Sequence, residues 1–167
     1  MAETIKNTPD QPIVGVLEQA VESLRRGLGE DLIAVVLFGS RARGDAHEDS
    51  DWDLLVIAEG LPDRLFERHI FLTRLLPPVR SGGFSILAKT PEEFEAHLPS
   101  LYLDIALDGQ VLYDHRGYAV DRLSALQRLI KRVGLYRTRS EAGDVWRWQE
   151  EPSVPWKIEW EEPFAVK

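Results

Sequence analysis

Residues 37 to 56 read Leu37-Phe38-Gly39-Ser40-Arg41-Ala42-Arg43-Gly44-Asp45-Ala46-His47-Glu48-Asp49-Ser50-Asp51-Trp52-Asp53-Leu54-Leu55-Val56, and this segment is the most informative part of the chain about its fold. It joins two apolar runs through a polar segment. The first run, Leu32 to Phe38, is continuous and rich in branched side chains, which favours a buried β-strand over a helix. The second run, Asp51 to Ile57, predicts another strand. Residues 39–50 contain two glycines and predict a loop with room for one helical turn.

Two acidic residues, Asp51 and Asp53, flank Trp52 at the start of the second strand. Because successive side chains of a strand point to opposite faces, both carboxylates are expected on one face. Neighbouring carboxylates repel each other unless a cation lies between them, and such hard oxygen ligands suit Mg²⁺ or Mn²⁺. An Asp-X-Asp sequence alone is most often a solvated turn, so its interpretation depends on the residues before it.

A Gly-Ser pair, Gly39 and Ser40, directly follows the first strand. Glycine lets the backbone approach a ligand closely, and the following amides and the Ser40 hydroxyl can hold phosphate oxygens. Arg41 and Arg43 add positive charge in an otherwise acidic chain. A Gly-Ser pair after a strand is by itself usually only a turn. In this order, each on its own strand, the two motifs predict a phosphate-binding loop beside a metal-binding carboxylate pair.

These motifs carry a resemblance to a known family. The Gly39-Ser40 pair, ten intervening residues and Asp51-Trp52-Asp53 resemble the signature of the nucleotidyltransferase superfamily that includes DNA polymerase β, and the flanking residues look like its minimal nucleotidyltransferase branch. The resemblance covers about residues 12–115. It implies Asp51 and Asp53 as catalytic and metal-binding residues, and as nucleotide-binding residues Gly39, Ser40, Arg41, Arg43 and Ser50.

The resemblance also implies an activity. It implies a nucleotidyltransferase fold with Mg²⁺ and a nucleoside triphosphate donor, usually ATP. A nucleoside monophosphate would pass to a hydroxyl of a protein partner or a small molecule, with release of pyrophosphate. Members of this branch often pair with a helical HEPN-type partner, in some cases a toxin that they adenylylate.

One position departs from the family pattern. Active members usually carry a third carboxylate on the next strand, just before a Thr-Pro-Glu-Glu-like helix start, and counting back from Thr90 this position falls on Ser85. Serine is a weak metal ligand and a poor base at neutral pH. Either another acid replaces it in the folded site, with Asp104, Asp108 or Glu92 as candidates, or the protein is a degenerate nucleotidyltransferase. In the second case it would act as a nucleotide-binding or partner-binding, antitoxin-like module.

The remaining pattern completes a small α/β (α+β) domain. Helices are expected at about residues 12–28, 61–76, 91–97, 101–107 and 118–133, and further strands at 84–89 and 111–113. Thr90-Pro91-Glu92-Glu93 predicts a capping box at a helix start. This order predicts a small mixed sheet with helices mainly on one face, which would leave the other face for the site.

Four of the five tryptophans lie between Asp144 and Trp160. Trp146 and Trp148 alternate with other residues, as do Trp156 and Trp160 with Ile158 between them, so residues 145–148 and 156–160 predict a hairpin-like pair with one aromatic face. We therefore expect a nucleotidyltransferase domain over residues 1–136 and a Trp-rich extension over residues 137–167 packed on it. Local packing is the favoured role of the indoles, and a partner or homodimer interface is the alternative.

Composition limits the other possibilities. The 167 residues are 44% apolar and 29% charged, as expected for one globular domain. Because 28 acidic residues face 20 basic ones, the net charge of −8 disfavours nucleic acid as a partner. The chain has no cysteine, which excludes disulfides, zinc–thiolate sites and a cysteine nucleophile. No apolar run is long enough for a membrane span and the N-terminus lacks a signal-peptide core, so a cytoplasmic protein without a membrane partner is expected.

Overall fold

The computed structural model describes residues 13–140, 143–151 and 160. The helices and strands predicted between residues 13 and 133 are all present there, with shifts of a few residues at their ends. In chain order the elements are α1 Ile13–Leu28, β1 Leu32–Phe38, α2 Gly39–Arg43, β2 Trp52–Ala58, α3 Leu65–Leu75, β3 Phe84–Lys89, α4 Pro91–Ala96, α5 Ser100–Asp108, β4 Gln110–Asp114, α6 Tyr118–Val133, β5 Leu135–Ser140 and β6 Gly143–Trp148, with a 3₁₀ turn at Gly29–Asp31.

Four of the strands form a mixed sheet in the order β3-β2-β1-β4. Strand β1 runs antiparallel to both β2 and β4, and β2 runs parallel to β3. The register places Phe38 opposite Asp53 and Asp53 beside Ser85. The end of β1 therefore meets the starts of β2 and β3 at one end of the sheet, where both motifs lie.

Helices cover both faces of this sheet, so the expectation of helices mainly on one face is wrong. One face packs on α1 and α3. The buried side chains of this layer include Val35, Leu37, Leu54 and Val56 from the sheet, with Leu24 from α1 and Leu72 from α3. The other packs on α4, α5 and α6, and its buried side chains include Val36, Leu55, Ile57, Phe94, Leu103 and Leu126. The reason is that β1 and β2 are apolar at consecutive positions, so both of their faces need cover from water.

The C-terminal hairpin contains Trp146 and Trp148, but its second strand is not the predicted one. Strand β6 pairs antiparallel with β5, which puts Leu135 opposite Trp148 and Arg139 opposite Asp144. The predicted partner segment, 156–160, lies outside the described residues except for Trp160, which is in no strand. Strand β5 was not predicted, because Arg137 and Arg139 follow the buried Leu135 at the inward-facing positions and break the apolar alternation.

The predicted division of the chain into a domain and a C-terminal extension is not tested by the structure. The boundary predicted at residue 136 falls within β5, and the division into two units stays a prediction. The Trp160 ring packs 5.4 Å from the Phe94 ring, centroid to centroid, and its Nε1 donates to the carbonyl of His97 at 3.3 Å. In the described ranges, no helix combines the length and the apolar character that crossing a membrane requires.

The predicted capping box is present at the start of α4. The Glu93 amide donates to Thr90 Oγ1 at 3.2 Å, and the Thr90 amide donates back to Glu93 Oε2 at 3.1 Å. The same carboxylate accepts two bonds from the buried Arg68, at 2.6 and 2.9 Å. Arg68 also donates to the carbonyls of Pro62 and Ala88. Because one carboxylate caps α4 and binds α3, it fixes the position of both helices against β3.

Candidate active site

Gly39 lies against the carboxylate of Asp53 at the point where β1 ends and α2 begins. Its φ of 72° is in the left-handed region that favours glycine. A Cβ at this position would overlap Asp53 Oδ2. The absence of a side chain at residue 39 therefore allows the backbone at the start of α2 to lie close to the Asp53 carboxylate.

The two carboxylates differ in their surroundings. Asp51 is exposed just before β2, and its Oδ1 accepts a bond from the Gly83 amide at 2.8 Å. Asp53 is half-buried within β2. Burial raises the pKa of Asp53, and the charge of Asp51 raises it further, against opposing effects of a hydrogen bond from Ser85 and the charge of Arg43. A cation between the carboxylates would relieve this cost.

This donor set fits a magnesium ion. It offers hard carboxylate oxygens from Asp51, just before β2, and from Asp53, within β2, and burial around Asp53 disfavours the charged form of that carboxylate. Over the described ranges, no group of three or more His, Cys, Asp and Glu side chains comes together as a metal site. The residues therefore suit a cation that takes two protein carboxylates and fills its remaining positions with water and substrate phosphates, as Mg²⁺ does.

The third carboxylate is not replaced by any of the candidates. Ser85 occupies the position beside Asp53 and is exposed. Glu92 follows the far end of β3, where Lys89 pairs with Ile57, and four residues of strand put that end about 13 Å from Asp53. The expectation that Glu92 could complete the site is therefore wrong.

Asp104 and Asp108, on α5, bind side chains of the β5–β6 hairpin. Arg137 donates to Asp108 through two nitrogens, at 2.6 and 2.8 Å, and to Asp104 Oδ1 at 3.1 Å. Trp146 Nε1 donates to the same Asp104 oxygen at 3.1 Å. These acids hold the hairpin on α5, and within the described residues they form no metal-binding group with Asp51 and Asp53.

Arg41 folds the loop back onto β2. Its Nε and Nη2 donate to the carbonyl of Ser50 at 2.9 and 2.6 Å, and its guanidinium carbon lies 4.0 Å from the centre of the buried Trp52 ring. The Ser50 hydroxyl in turn accepts a bond from the His47 amide at 2.8 Å. The side chains of Arg41 and Ser50 therefore both form contacts that hold the loop in place. The nucleotide-binding role predicted for these two residues stays a prediction.

A cavity of about 460 Å³, here called the hairpin cavity, opens beside Gly39. Its walls come from the end of β1, from α2, from α5 and from the β5–β6 hairpin. Arg43 lines it and donates to Asp45 Oδ2 at 3.2 Å. Arg139 and Asp144 line it from the hairpin side. That the hairpin forms one wall of this cavity was not predicted, although the alternation of Arg137 and Arg139 in the sequence was a signal for a strand with one charged face.

Comparison with known proteins agrees with this geometry. The family model of the nucleotidyltransferase domain matches residues 17–116, a range that includes Gly39, Ser40, Asp51 and Asp53. A candidate protein adenylyltransferase of Methanocaldococcus jannaschii is 34% identical over 122 residues, which are 71% of this chain and 83% of that protein. The chain therefore belongs to the nucleotidyltransferase family, and it is an enzyme of that type.

Solved structures support the same fold. A toxin–antitoxin crystal structure with AMP-PNP has a TM-score of 0.50 and 21% identity, over 70% of this chain and 90% of that one. A complex of a tri-AMPylated HEPN toxin of Shewanella oneidensis with its MNT antitoxin has a TM-score of 0.45 and 19% identity, over 70% of this chain and 87% of that one. At these sequence identities the similarity concerns the fold and not the function. Of these two structures, the one with AMP-PNP has the TM-score that supports a shared fold.

Proposed function

We propose that this chain is a Mg²⁺-dependent adenylyltransferase that transfers AMP from ATP to a hydroxyl of a protein partner or a small molecule. The observation that carries the proposal is the close approach of Gly39 to Asp53, which puts the start of the proposed phosphate-binding loop beside one of the two carboxylates. The similarity to an adenylyltransferase supports ATP as the donor. A nucleotide analogue of ATP in a structure of the same fold agrees with that choice.

Each site residue has a role in this reaction. Asp51 and Asp53 hold the ion, which when bound supplies positive charge to the triphosphate. The backbone after Gly39, the Ser40 hydroxyl and the Arg43 guanidinium bind phosphate oxygens. The acceptor oxygen forms a bond to the α-phosphorus, the bond from that phosphorus to the pyrophosphate oxygen breaks, and the hydroxyl proton is lost to solvent. Ser85 cannot take this proton at neutral pH, so β3 contributes no base.

A second function is favoured by one observation, the exposed serine at the position of the third carboxylate. Loss of a positioned base typically costs about 10²–10⁴ in rate. The chain would then bind a nucleotide, or a helical HEPN-type partner in the manner of an antitoxin, without efficient transfer. The fold likeness to a toxin–antitoxin complex is compatible with this role as well as with adenylylation of such a partner.

Titration calorimetry of ATP with Mg²⁺ tests the donor site. We expect the wild type to bind and the double variant Asp51→Asn/Asp53→Asn to lose binding. The matched control is Glu30→Gln/Glu59→Gln, which removes two negative charges from exposed residues at the opposite end of the sheet. This control should bind ATP like the wild type, and no binding by the wild type would reject the donor site.

Transfer of label from ATP labelled at the α-phosphate separates the two functions. Label on a co-expressed helical partner or a small acceptor, with pyrophosphate release that needs Asp51 and Asp53, supports the enzyme. Mg²⁺-dependent binding without pyrophosphate release supports the binding module instead.

A further inference from the structure

We propose that Arg139, on strand β5, is a further phosphate-binding residue of the donor site and acts together with Arg43 on the triphosphate. This inference rests on the proposed function, because its ligand is the nucleoside triphosphate proposed there. It adds a residue outside the range matched by the family, which ends at residue 116.

Arg139 lies next to Arg43 because both arginines contact the carboxylate of Asp45. Arg139 Nη1 lies 3.4 Å from Asp45 Oδ2, and Arg43 Nε lies 3.2 Å from the same oxygen. Two guanidinium groups therefore meet at one carboxylate oxygen on the wall of the hairpin cavity, which Gly39 also lines. The charge of Arg43 lowers the pKa of Asp53 against the effect of burial, so the residue that shares Asp45 with Arg139 is within electrostatic reach of one carboxylate proposed to hold the metal.

The two inward-facing arginines of β5 have different settings. The Arg137 side chain is 13% exposed and is held by three aspartates, Asp104, Asp108 and Asp144. The Arg139 side chain is 58% exposed, and its contacts with Asp45 and Asp144 are both 3.4 Å long, outside the usual range of charge-assisted hydrogen bonds. Arg137 is thus an anchor of the hairpin, whereas Arg139 retains donors for a ligand.

A negatively charged triphosphate needs positive charge in this acidic cavity, and Arg43 and Arg139 provide it. Four aspartates line the hairpin cavity in a chain of net charge −8, so a triphosphate needs cations beyond one Mg²⁺. Arginine binds phosphate through two parallel hydrogen bonds, which are stronger than a long contact with an exposed carboxylate. Exposed ion pairs contribute little, so phosphate oxygens can replace Asp45 as the partner of both arginines.

Calorimetry with ATP, ADP and AMP in Mg²⁺ tests the assignment on Arg139→Ala. The matched control is Arg147→Ala, which removes the same charge from the other strand of the hairpin. Arg147 pairs with Tyr136 and is exposed, and strand alternation puts it on the opposite face from Arg139. We expect Arg139→Ala to weaken ATP binding about tenfold, with a smaller loss for ADP and the smallest for AMP. Arg147→Ala should leave all three dissociation constants unchanged.

The outcomes separate this inference from the proposed function. Wild-type binding that needs Asp51 and Asp53, together with equal ATP affinity in Arg139→Ala and the wild type, overturns the inference alone. An equal loss for ATP, ADP and AMP also overturns it, because a structural defect would not depend on the number of phosphates. Failure of the wild type to bind ATP overturns both. Partial recovery of ATP affinity in Arg139→Lys, with an unchanged unfolding temperature, supports a direct role of the charge.

Discussion

Gly39 approaches the carboxylate of Asp53 so closely that a Cβ at residue 39 would overlap it, although Gly39 begins α2, Asp53 lies in β2 and the two are fourteen positions apart in the chain. The antiparallel pairing of Phe38 with Asp53 creates this contact, since Gly39 is the next residue after the paired position. A phosphate held by the loop would therefore lie beside the carboxylates proposed to hold the metal. The geometry of the site depends on a residue that has no side chain.

Alanine at residue 39 should abolish nucleotide binding, whereas alanine at residue 44 should not. Both glycines have positive φ, 72° and 80°, so each substitution costs about 1–2 kcal/mol of backbone strain. Only at Gly39 would the new Cβ displace Asp53, because a Cβ at Gly44 has no heavy atom within 4 Å. Urea unfolding should show the larger loss for Gly39→Ala, and calorimetry should show loss of ATP binding for that variant alone. Retained binding in Gly39→Ala would contradict the role given to this contact.

A carboxylate at residue 85 should raise the rate of transfer. Ser85 pairs with Asp53 in the parallel register of β2 and β3, so Ser85→Asp places a third acid beside the first two. A positioned base contributes about 10²–10⁴ in rate, and we expect pyrophosphate release with Mg²⁺ and ATP to increase by about 10². The metal-free variant should be less stable than the wild type, because the new charge faces Asp53. Ser85→Asn has a similar size without the charge, and an equal rate in both variants would refute the explanation.

Removal of Arg137 should detach the hairpin from the domain. Its loss leaves Asp104 and Asp108 on α5 without their cation, and uncompensated charges in a largely buried setting cost about 3 kcal/mol. Urea unfolding of Arg137→Ala should show a loss of this size. The exposed Arg147 on the same hairpin is the control, and Arg147→Ala should change the free energy of unfolding by less than about 0.5 kcal/mol. Equal effects of the two substitutions would show that the hairpin is held by other contacts.

The Arg68–Glu93 pair should make stability depend on acid pH. The hydrogen bond from Arg68 lowers the pKa of Glu93 below its usual value of 4.5. A carboxylate with a lowered pKa in the folded state stabilises the protein above its unfolded pKa, and this contribution is lost as pH falls through the folded pKa. The difference in unfolding free energy between wild type and Glu93→Gln should thus be constant from pH 7 to about pH 5 and shrink below about pH 4.5. A difference that does not change down to pH 3 would show that the pair does not stabilise the fold.

Several features were predictable because they depend on neighbours along the chain. The continuous apolar runs identify β1 and β2, and strand alternation puts Asp51 and Asp53 on one face. The capping box before α4 is likewise a local pattern, since Thr90 and Glu93 are three positions apart. These short-range rules, together with the resemblance carried by the two motifs, were sufficient to predict the family.

Other features depend on contacts that local patterns do not encode. The ion pairs of Arg137 with Asp104 and Asp108 join residues 33 and 29 positions apart, and they hold the β5–β6 hairpin on α5. Because arginines occupy two inward-facing positions of β5, the alternation of apolar residues does not indicate this strand.

Local sequence patterns were enough for β1 to β4 and for the acidic pair, because periodicity and spacing are properties of neighbouring residues, and the resemblance carried by the two motifs pointed to the family. The folded structure was needed to show that helices cover both faces of the sheet and that none of Glu92, Asp104 and Asp108 completes the acidic site. It also decided that Arg139 meets Arg43 at Asp45, 94 positions away in the chain. The physical reason is that a charged side chain selects its partner by distance in space, and that distance exists only once the chain has folded.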